Sequence, residues 1–323
     1  MSDALLEPAR GGDADLHAMV ETFFRETFTT DNPLITEAVK RMLAAGGKRM
    51  RPRITLLAVE ACGGKAVEQL QLAAFMELIH VATLIHDDVV DNASTRRGVN
   101  ATAVDYGNRV SVLAGDYLFA WIFKNVTADY PHPVPHILSA TLADICDGEV
   151  VQLRALGELE LPLTAYIEVA RKKTASLFAA SAECGAIMGG GDADEIAALR
   201  AYGDALGVAF QMKDDLLDVT ADERSLGKPV GNDLTERKMT IPLIEALASG
   251  DDAFRAEVRS FYSGNENGGL HAIVEGIARQ GGLAGTRKQI ARFVSRAKAS
   301  LEPIRNGTAK NELEKLADAL LVE

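Results

Sequence analysis

The sequence predicts an all-α protein, a large helical bundle folded as a single domain. Three observations carry that reading. No proline interrupts Arg53–Tyr130 or Leu163–Lys228, and both stretches are rich in the strong helix formers Ala, Leu, Glu and Lys. Apolar residues recur at three- and four-residue spacings, as in Leu70, Ala73, Ala74, Leu78, Val81, Leu84 and Ile85, the pattern of one helix face. Period-two alternation of β-branched residues is hardly seen.

Taken in order, Asn32-Pro33 offers an N-cap and a proline at the first helical position, opening a helix that runs through Ala45. Gly46-Gly47 then stops it. Further breaks are expected at Cys62-Gly63-Gly64, from Pro131 to Pro135, at Gly189-Gly190-Gly191, and from Ser263 to Gly269. The helices between these breaks are long, which favours a bundle over a small globin-like packing. No solenoid-type repeat of short period is present. Residues 1–323 read as one domain, with 1–12 as a flexible N-terminal tail.

Hydrophobic residues make up 47% of the 323 and charged residues 25%, which excludes a disordered or collagen-like chain. With 34 basic against 46 acidic side chains the net charge is -12, so a nucleic-acid partner is not expected. An anionic ligand would have to be met by local cations or by metal ions. Cys62, Cys146 and Cys184 are far apart with no CxxC spacing, and read as reduced core residues of a cytoplasmic protein. The N-terminus lacks a basic stretch followed by an apolar run, so no signal peptide is read, and no transmembrane segment is expected.

One repeat stands out. Asp87-Asp88-Val89-Val90-Asp91 in the first half is echoed by Asp214-Asp215-Leu216-Leu217-Asp218 in the second. On a helix, with Asp87 at zero, Asp88 lies at about 100° and Asp91 at about 40°, so the three carboxylates share one arc. Val89 and Val90, like Leu216 and Leu217, should then point away into packing. Like charges on adjacent turns destabilise a helix by roughly 0.2–0.5 kcal/mol per pair. Hard divalent cations would relieve that repulsion, and Mg²⁺ typically joins one or two carboxylates to substrate phosphates. A solvated acidic face, or charges complementing a helix N-terminus, is the alternative, and it explains one copy better than two.

Cations accompany both motifs. Lys48, Arg49 and Arg51 follow the glycine break, Arg96-Arg97-Gly98 lies just past the first aspartates, and Lys172-Lys173-Thr174 and Lys228 to Asp233 belong to the second half. Such clusters in an acidic chain suit a ligand with several phosphate oxygens. No Walker-type loop is present, so a nucleotide triphosphate site is not supported. His80 precedes Asp87 by seven residues, within about 20° in azimuth, which raises it above an ordinary core histidine.

These elements together resemble the trans-type isoprenyl diphosphate synthases, the polyprenyl synthetases. The resemblance rests on GGKRMRP at Gly46–Pro52, LIHDDVVD at Leu84–Asp91, RRG at Arg96–Gly98, KT at Lys173–Thr174, FQMKDDLLD at Phe210–Asp218 and GKPVGNDL at Gly227–Leu234, in the family's order. It implies an all-α homodimer with the active cavity inside each bundle. The implied reaction condenses isopentenyl diphosphate with an allylic diphosphate, farnesyl or geranylgeranyl, releasing pyrophosphate. By position, Asp87, Asp88, Asp91, Asp214 and Asp215 would hold several Mg²⁺ ions on the allylic diphosphate, with Asp218 sharing or orienting. Arg96, Lys173 and Lys228 would contact that diphosphate directly, and Thr174 and Gln211 would lend oxygen atoms to the allylic cation. Lys48, Arg51, His80 and Arg97 resemble the isopentenyl diphosphate pocket. Two departures are visible: Arg237 stands where many relatives have a glycine before the lysine, giving Lys238 a supporting role, and the basic C-terminal tail of some short-chain members is missing.

Product length is read from the helix leading to Asp87. Each isoprene unit spans about one helical turn, so the residues four and five positions before Asp87 form the first floor for a growing chain. Here they are Thr83 and Ala82, both small, and IHVATLIHDDVVD looks like long-chain synthases, so a product of about C40 to C50 is expected. A deeper side chain, Phe75, Phe119 or Trp121, would instead end the chain early. The competing functions are a short-chain farnesyl or geranylgeranyl synthase, a terpene cyclase, and a non-catalytic subunit of a two-part synthase. A cyclase leaves GGKRMRP and the second aspartate motif unexplained, and a non-catalytic subunit leaves the intact basic pocket unexplained.

Overall fold

The computed structural model describes residues 13–28, 30–96, 98–220, 230–264 and 269–322. The expected 1–12 tail, Arg97 and Lys228 lie outside the described residues. The first half comprises α1 (Asp13–Thr27), α2 (Pro33–Ala44), α3 (Met50–Ala61), α4 (Leu70–Val90), α5 (Thr102–Tyr106), α6 (Asn108–Asp129) and α7 (Val134–Arg154). The second comprises α8 (Leu163–Ala170), α9 (Ser176–Met188), α10 (Ala193–Thr220), α11 (Asn232–Thr235), α12 (Ile241–Ser249), α13 (Asp252–Tyr262), α14 (Gly269–Arg279), α15 (Gly282–Ser300) and α16 (Thr308–Asp318).

The glycine breaks fall where the sequence puts them. Asn32 caps α2, its side chain accepting from the Leu34 N–H. Gly46 and Gly63 adopt positive φ just beyond the helices that they end. Two features were not foreseen. A short antiparallel ribbon pairs β1 (Thr95–Arg96) with β2 (Val99–Asn100), and Arg171–Ala175 form a π-helical turn between α8 and α9. The ribbon occurs within the proline-free stretch because Asn92 takes a left-handed φ of 51° and redirects the chain.

α4 and α9 are buried on nearly all sides and form the centre of the bundle. The apolar core has two lobes. One is built on α1, α2, α4 and α6, the other on α3, α10 and α12–α16, and α9 contributes Leu177 and Cys184 to the first and Phe178 and Ala182 to the second. Arg49 ties α3 to α4 across this seam. Its left-handed φ of 46° at a non-glycine residue costs on the order of 1 kcal/mol or more. Its guanidinium compensates by pairing with buried Glu77 at 3.1 Å and with Glu21 at 2.6 Å, while donating to the Leu43 carbonyl. Arg49 is therefore a structural cation.

Two expectations about packing need correction. Val90 is 47% exposed, because α4 ends there and nothing described covers it. Cys146 is exposed on α7, whereas Cys62 and Cys184 are buried as expected.

The π turn is clamped between two glycines. A Cβ on Gly207 of α10 would lie 2.5 Å from the Ala175 Cα, and one on Gly148 of α7 would lie 2.8 Å from the Lys173 nitrogen. Only hydrogen fits there, so α7 and α10 both close onto the segment that carries Lys173 and Thr174. Gly207, Gln211 and Asp215 follow at four-residue spacing on α10, so the same close approach aims the second aspartate motif at that turn. Gly207→Ala is expected to lower stability by about 1–3 kcal/mol, as overpacking does, with helical content kept. Thermal unfolding followed by circular dichroism tests this; an unchanged midpoint would mean that the π turn can retreat.

Candidate active site

Both aspartate motifs lie at the C-terminal ends of long helices, α4 and α10. That is the negative end of the helix dipole, so the alternative of charges complementing an N-terminus does not hold. Each carboxylate there is disfavoured by roughly 0.3–1 kcal/mol before any mutual repulsion. Asp91 closes α4, its N–H donating to the Asp87 carbonyl at 2.8 Å.

Within the first motif the three carboxylates have different surroundings. Asp88 is fully buried, and its Oδ1 accepts from Arg96 Nε at 2.7 Å and Nη2 at 2.5 Å. Its Oδ2 is buried with no hydrogen-bond partner. Asp87 is half-buried, and desolvation holds its carboxyl up at about 6, with Lys173 and Arg96 pulling it down and Glu149 and Asp91 pushing it further up. Asp91 faces Lys238 Nζ at 3.7 Å, and Lys238 also pairs with Glu236 at 2.5 Å.

The second motif divides as sharply. Asp214 is exposed, while Asp215 and Asp218 are buried. Asp215 sits in a cage of donors: Gln211 Nε2 at 2.8 Å on Oδ1, the Tyr166 hydroxyl at 2.7 Å and the Ile241 N–H at 3.3 Å on Oδ2. Burial nevertheless raises its carboxyl to about 6. The Asp218 Oδ2 accepts from the Asp233 N–H at 3.2 Å and its carbonyl from the Gly231 N–H at 2.8 Å, pinning the end of the GKPVGNDL segment to α10. Leu216 packs in the core as expected.

The π turn brings its own residues inward. Lys173 Nζ donates to Gln152 Oε1 at 2.8 Å and pairs with Glu149, both from α7. Thr174 Oγ1 donates to Gln211 Oε1 at 2.7 Å. Gln152, Tyr166, Lys173, Thr174, Gln211, Asp215, Asp233 and Lys238 line one small cavity of about 90 Å³. Lys48 and Arg51 share an aromatic base: the Lys48 ammonium lies 5.8 Å from the Phe210 ring centre, the Arg51 guanidinium 4.7 Å from that of Phe178, and the two rings are 5.2 Å apart. His80 is half-buried on α4, where its carbonyl accepts from Thr83 Oγ1. Ala82 is buried two turns before the motif ends.

Sequence reasoning missed Glu149, Gln152 and Tyr166, and understated Lys238. Glu149 and Gln152 are an ordinary i,i+3 polar pair on α7, and Tyr166 belongs to a short helix without a motif. Only the clamp around the π turn gives them partners.

Residues 32–276 match the polyprenyl synthetase family. The chain is 36% identical over 308 residues to a short chain isoprenyl diphosphate synthase of Methanothermobacter thermautotrophicus, covering 94% of this chain and 95% of the relative. It is 37% identical over 286 residues to octaprenyl diphosphate synthase of Escherichia coli, covering 88% of each. A polyprenyl synthase from Caulobacter crescentus CB15, solved in complex with calcium and isoprenyl diphosphate, superposes with a TM-score of 0.91 at 36% identity, over 96% of this chain and 95% of that one. The chain therefore belongs to the polyprenyl synthetase family of trans-isoprenyl diphosphate synthases. It is a prenyltransferase that elongates a prenyl chain, and its family works with a divalent metal.

The donor set fits a hard cation. Every candidate ligand is a carboxylate oxygen, and the unpartnered Asp88 Oδ2 is the kind of buried orphan that an ion or ordered water satisfies. Among the described residues no three His, Cys, Asp or Glu side chains are placed to hold a metal ion by themselves. The neutral form of Asp87 is favoured by the fold, so its stability contribution is complete below the ordinary carboxylate range and lost as pH rises through about 6. At about pH 7.5, in chelator, Asp87→Asn should melt at or above the parent, and added Mg²⁺ should raise the midpoint of the parent alone. Calorimetry with and without Mg²⁺ decides; a variant that melts lower in chelator would show the carboxylate to be held by partners.

Proposed function

We propose that this prenyltransferase condenses isopentenyl diphosphate with farnesyl or geranylgeranyl diphosphate, in an Mg²⁺-dependent reaction that releases pyrophosphate. The observation that carries the reading is a pair of acidic helix ends with cations around the first, Arg96 on Asp88, Lys173 beside Asp87 and Lys238 near Asp91. Asp87, Asp88, Asp91 and Asp214 are the carboxylates offered to metal. Arg96, anchored on Asp88, and Lys173, held by Glu149 and Gln152, bind the allylic diphosphate directly together with Lys228, and Lys238 braces Asp91. Lys48, Arg51, His80 and Arg97 receive the isopentenyl diphosphate. When bound, Mg²⁺ neutralises charge on the leaving diphosphate as its C–O bond breaks. Thr174 and Gln211, hydrogen-bonded to each other, would lend oxygen atoms to the allylic cation. The isopentenyl double bond attacks that cation, and a proton passes to the departed pyrophosphate.

The product is long, about C40 to C50, in keeping with small Ala82 and Thr83 one turn before Asp87. Incubation with Mg²⁺, isopentenyl diphosphate and farnesyl diphosphate, followed by product sizing, should give this range. Ala82→Phe should shorten it, since a dense interior does not absorb the added ring. A parent product of C15 or C20 refutes the length, and an unchanged long product in the variant refutes the position of the floor.

The active form is a homodimer joined through α6 and α7. Support comes from Val112, Leu113 and Tyr117 on α6 and Val150 and Leu153 on α7, all large apolar side chains that the single chain leaves exposed. Leu113→Asp should convert the dimer to monomer in sedimentation velocity; a parent that is monomeric at micromolar concentration overturns the reading.

A further inference from the structure

The structure assigns Tyr166 as a positioning residue that sets the spacing of the two aspartate motifs through Asp215. The second aspartate of the α10 motif is 3% exposed, and its carboxylate is surrounded by donors from three elements: Tyr166 of α8, Gln211 of α10 and the first N–H of α12. With donors on both oxygens Asp215 is a poor candidate for direct coordination, unlike the equally buried Asp88, whose Oδ2 has no hydrogen-bond partner. The exposed Asp214, one residue earlier, is the carboxylate that the proposed function offers to metal.

What the enclosed carboxylate does instead can be followed atom by atom. On Oδ1 it orients the Gln211 amide, which fixes the amide so that its oxygen takes the Thr174 hydroxyl at 2.7 Å. On Oδ2 it accepts the Ile241 N–H, which holds the start of α12 and the strand of chain before it. That chain carries Lys238, three residues upstream, whose ammonium lies 3.7 Å from Asp91 of the first motif. One phenol–carboxylate contact thus links the second motif to the π turn on one side and to the first motif on the other. Tyr166 is itself buried, and its hydroxyl has Asp215 as its acceptor at 2.7 Å, a charge-assisted bond.

The consequence is specific to one substrate. Removing the phenol oxygen frees Asp215 to shift, so the carboxylates offered to metal move apart, while the Lys48 and Arg51 pair on its Phe178–Phe210 base is untouched. The inference rests on the reading that Asp214 meets metal and the allylic diphosphate. The test is steady-state kinetics of Tyr166→Phe, which keeps the ring in the core. The half-saturating Mg²⁺ concentration and the allylic KM should each rise about tenfold, with the isopentenyl KM within about twofold of the parent. Because the two residues act as a unit, Tyr166→Phe/Asp215→Asn should be no worse than Asp215→Asn alone. Should Tyr166→Phe fail to fold by circular dichroism, Asp215→Asn is read for the same split between the two substrates. Unchanged Mg²⁺ dependence, an equal rise in both KM values, or additive losses in the double variant would overturn the assignment. Near-normal turnover of Asp214→Asn would instead overturn the metal reading beneath it, so the two failures are distinguishable.

Discussion

Six carboxylates gathered at the C-terminal ends of two helices are the constraint around which the rest of the molecule is arranged. The helix dipole opposes negative charge at that end, and like charges one turn apart oppose it again. Isolated helices of this sequence would fray at both motifs. The bundle holds them because each carboxylate has a different remedy. Asp88 takes a two-point contact from Arg96, Asp91 has Lys238 nearby, Asp215 has three donors, and Asp218 accepts from the Gly231 and Asp233 N–H groups. Asp87 is desolvated, with Lys173 and Arg96 drawing its carboxyl down, and Asp214 is exposed.

Close backbone approach is the second requirement. Lys173 and Thr174 reach the cleft only because Gly148 and Gly207 let α7 and α10 press onto the π turn. π turns recur at functional sites because the extra residue in the turn shifts the register of everything after it. Here the shift presents two consecutive polar residues inward from a helix whose continuation, α9, is otherwise a buried apolar rod. The same rod joins the two lobes of the core, so the π turn is continuous with the centre of the bundle.

The cations divide by partner in a way that charge alone does not explain. Arg49, between Lys48 and Arg51, turns into the core and is consumed by Glu77 and Glu21. Its neighbours rest on aromatic faces, Lys48 on Phe210 and Arg51 on Phe178.

The sequence by itself determined the helical class, the breaks at Gly46, Gly63 and Gly189, the paired DDxxD motifs, and the residues that carry the family resemblance. Those are local matters: spacing, propensity and short motifs survive in one dimension. Tertiary structure alone decided which of six similar aspartates is open and which is enclosed, because burial and donors come from helices distant in the chain, such as Tyr166 for Asp215. It also decided that Arg49 is structural, that Val90 and Cys146 face outward, and that Glu149 and Gln152 hold Lys173. A carboxylate's role depends on the low-dielectric space around it, and that space exists only after the helices have packed.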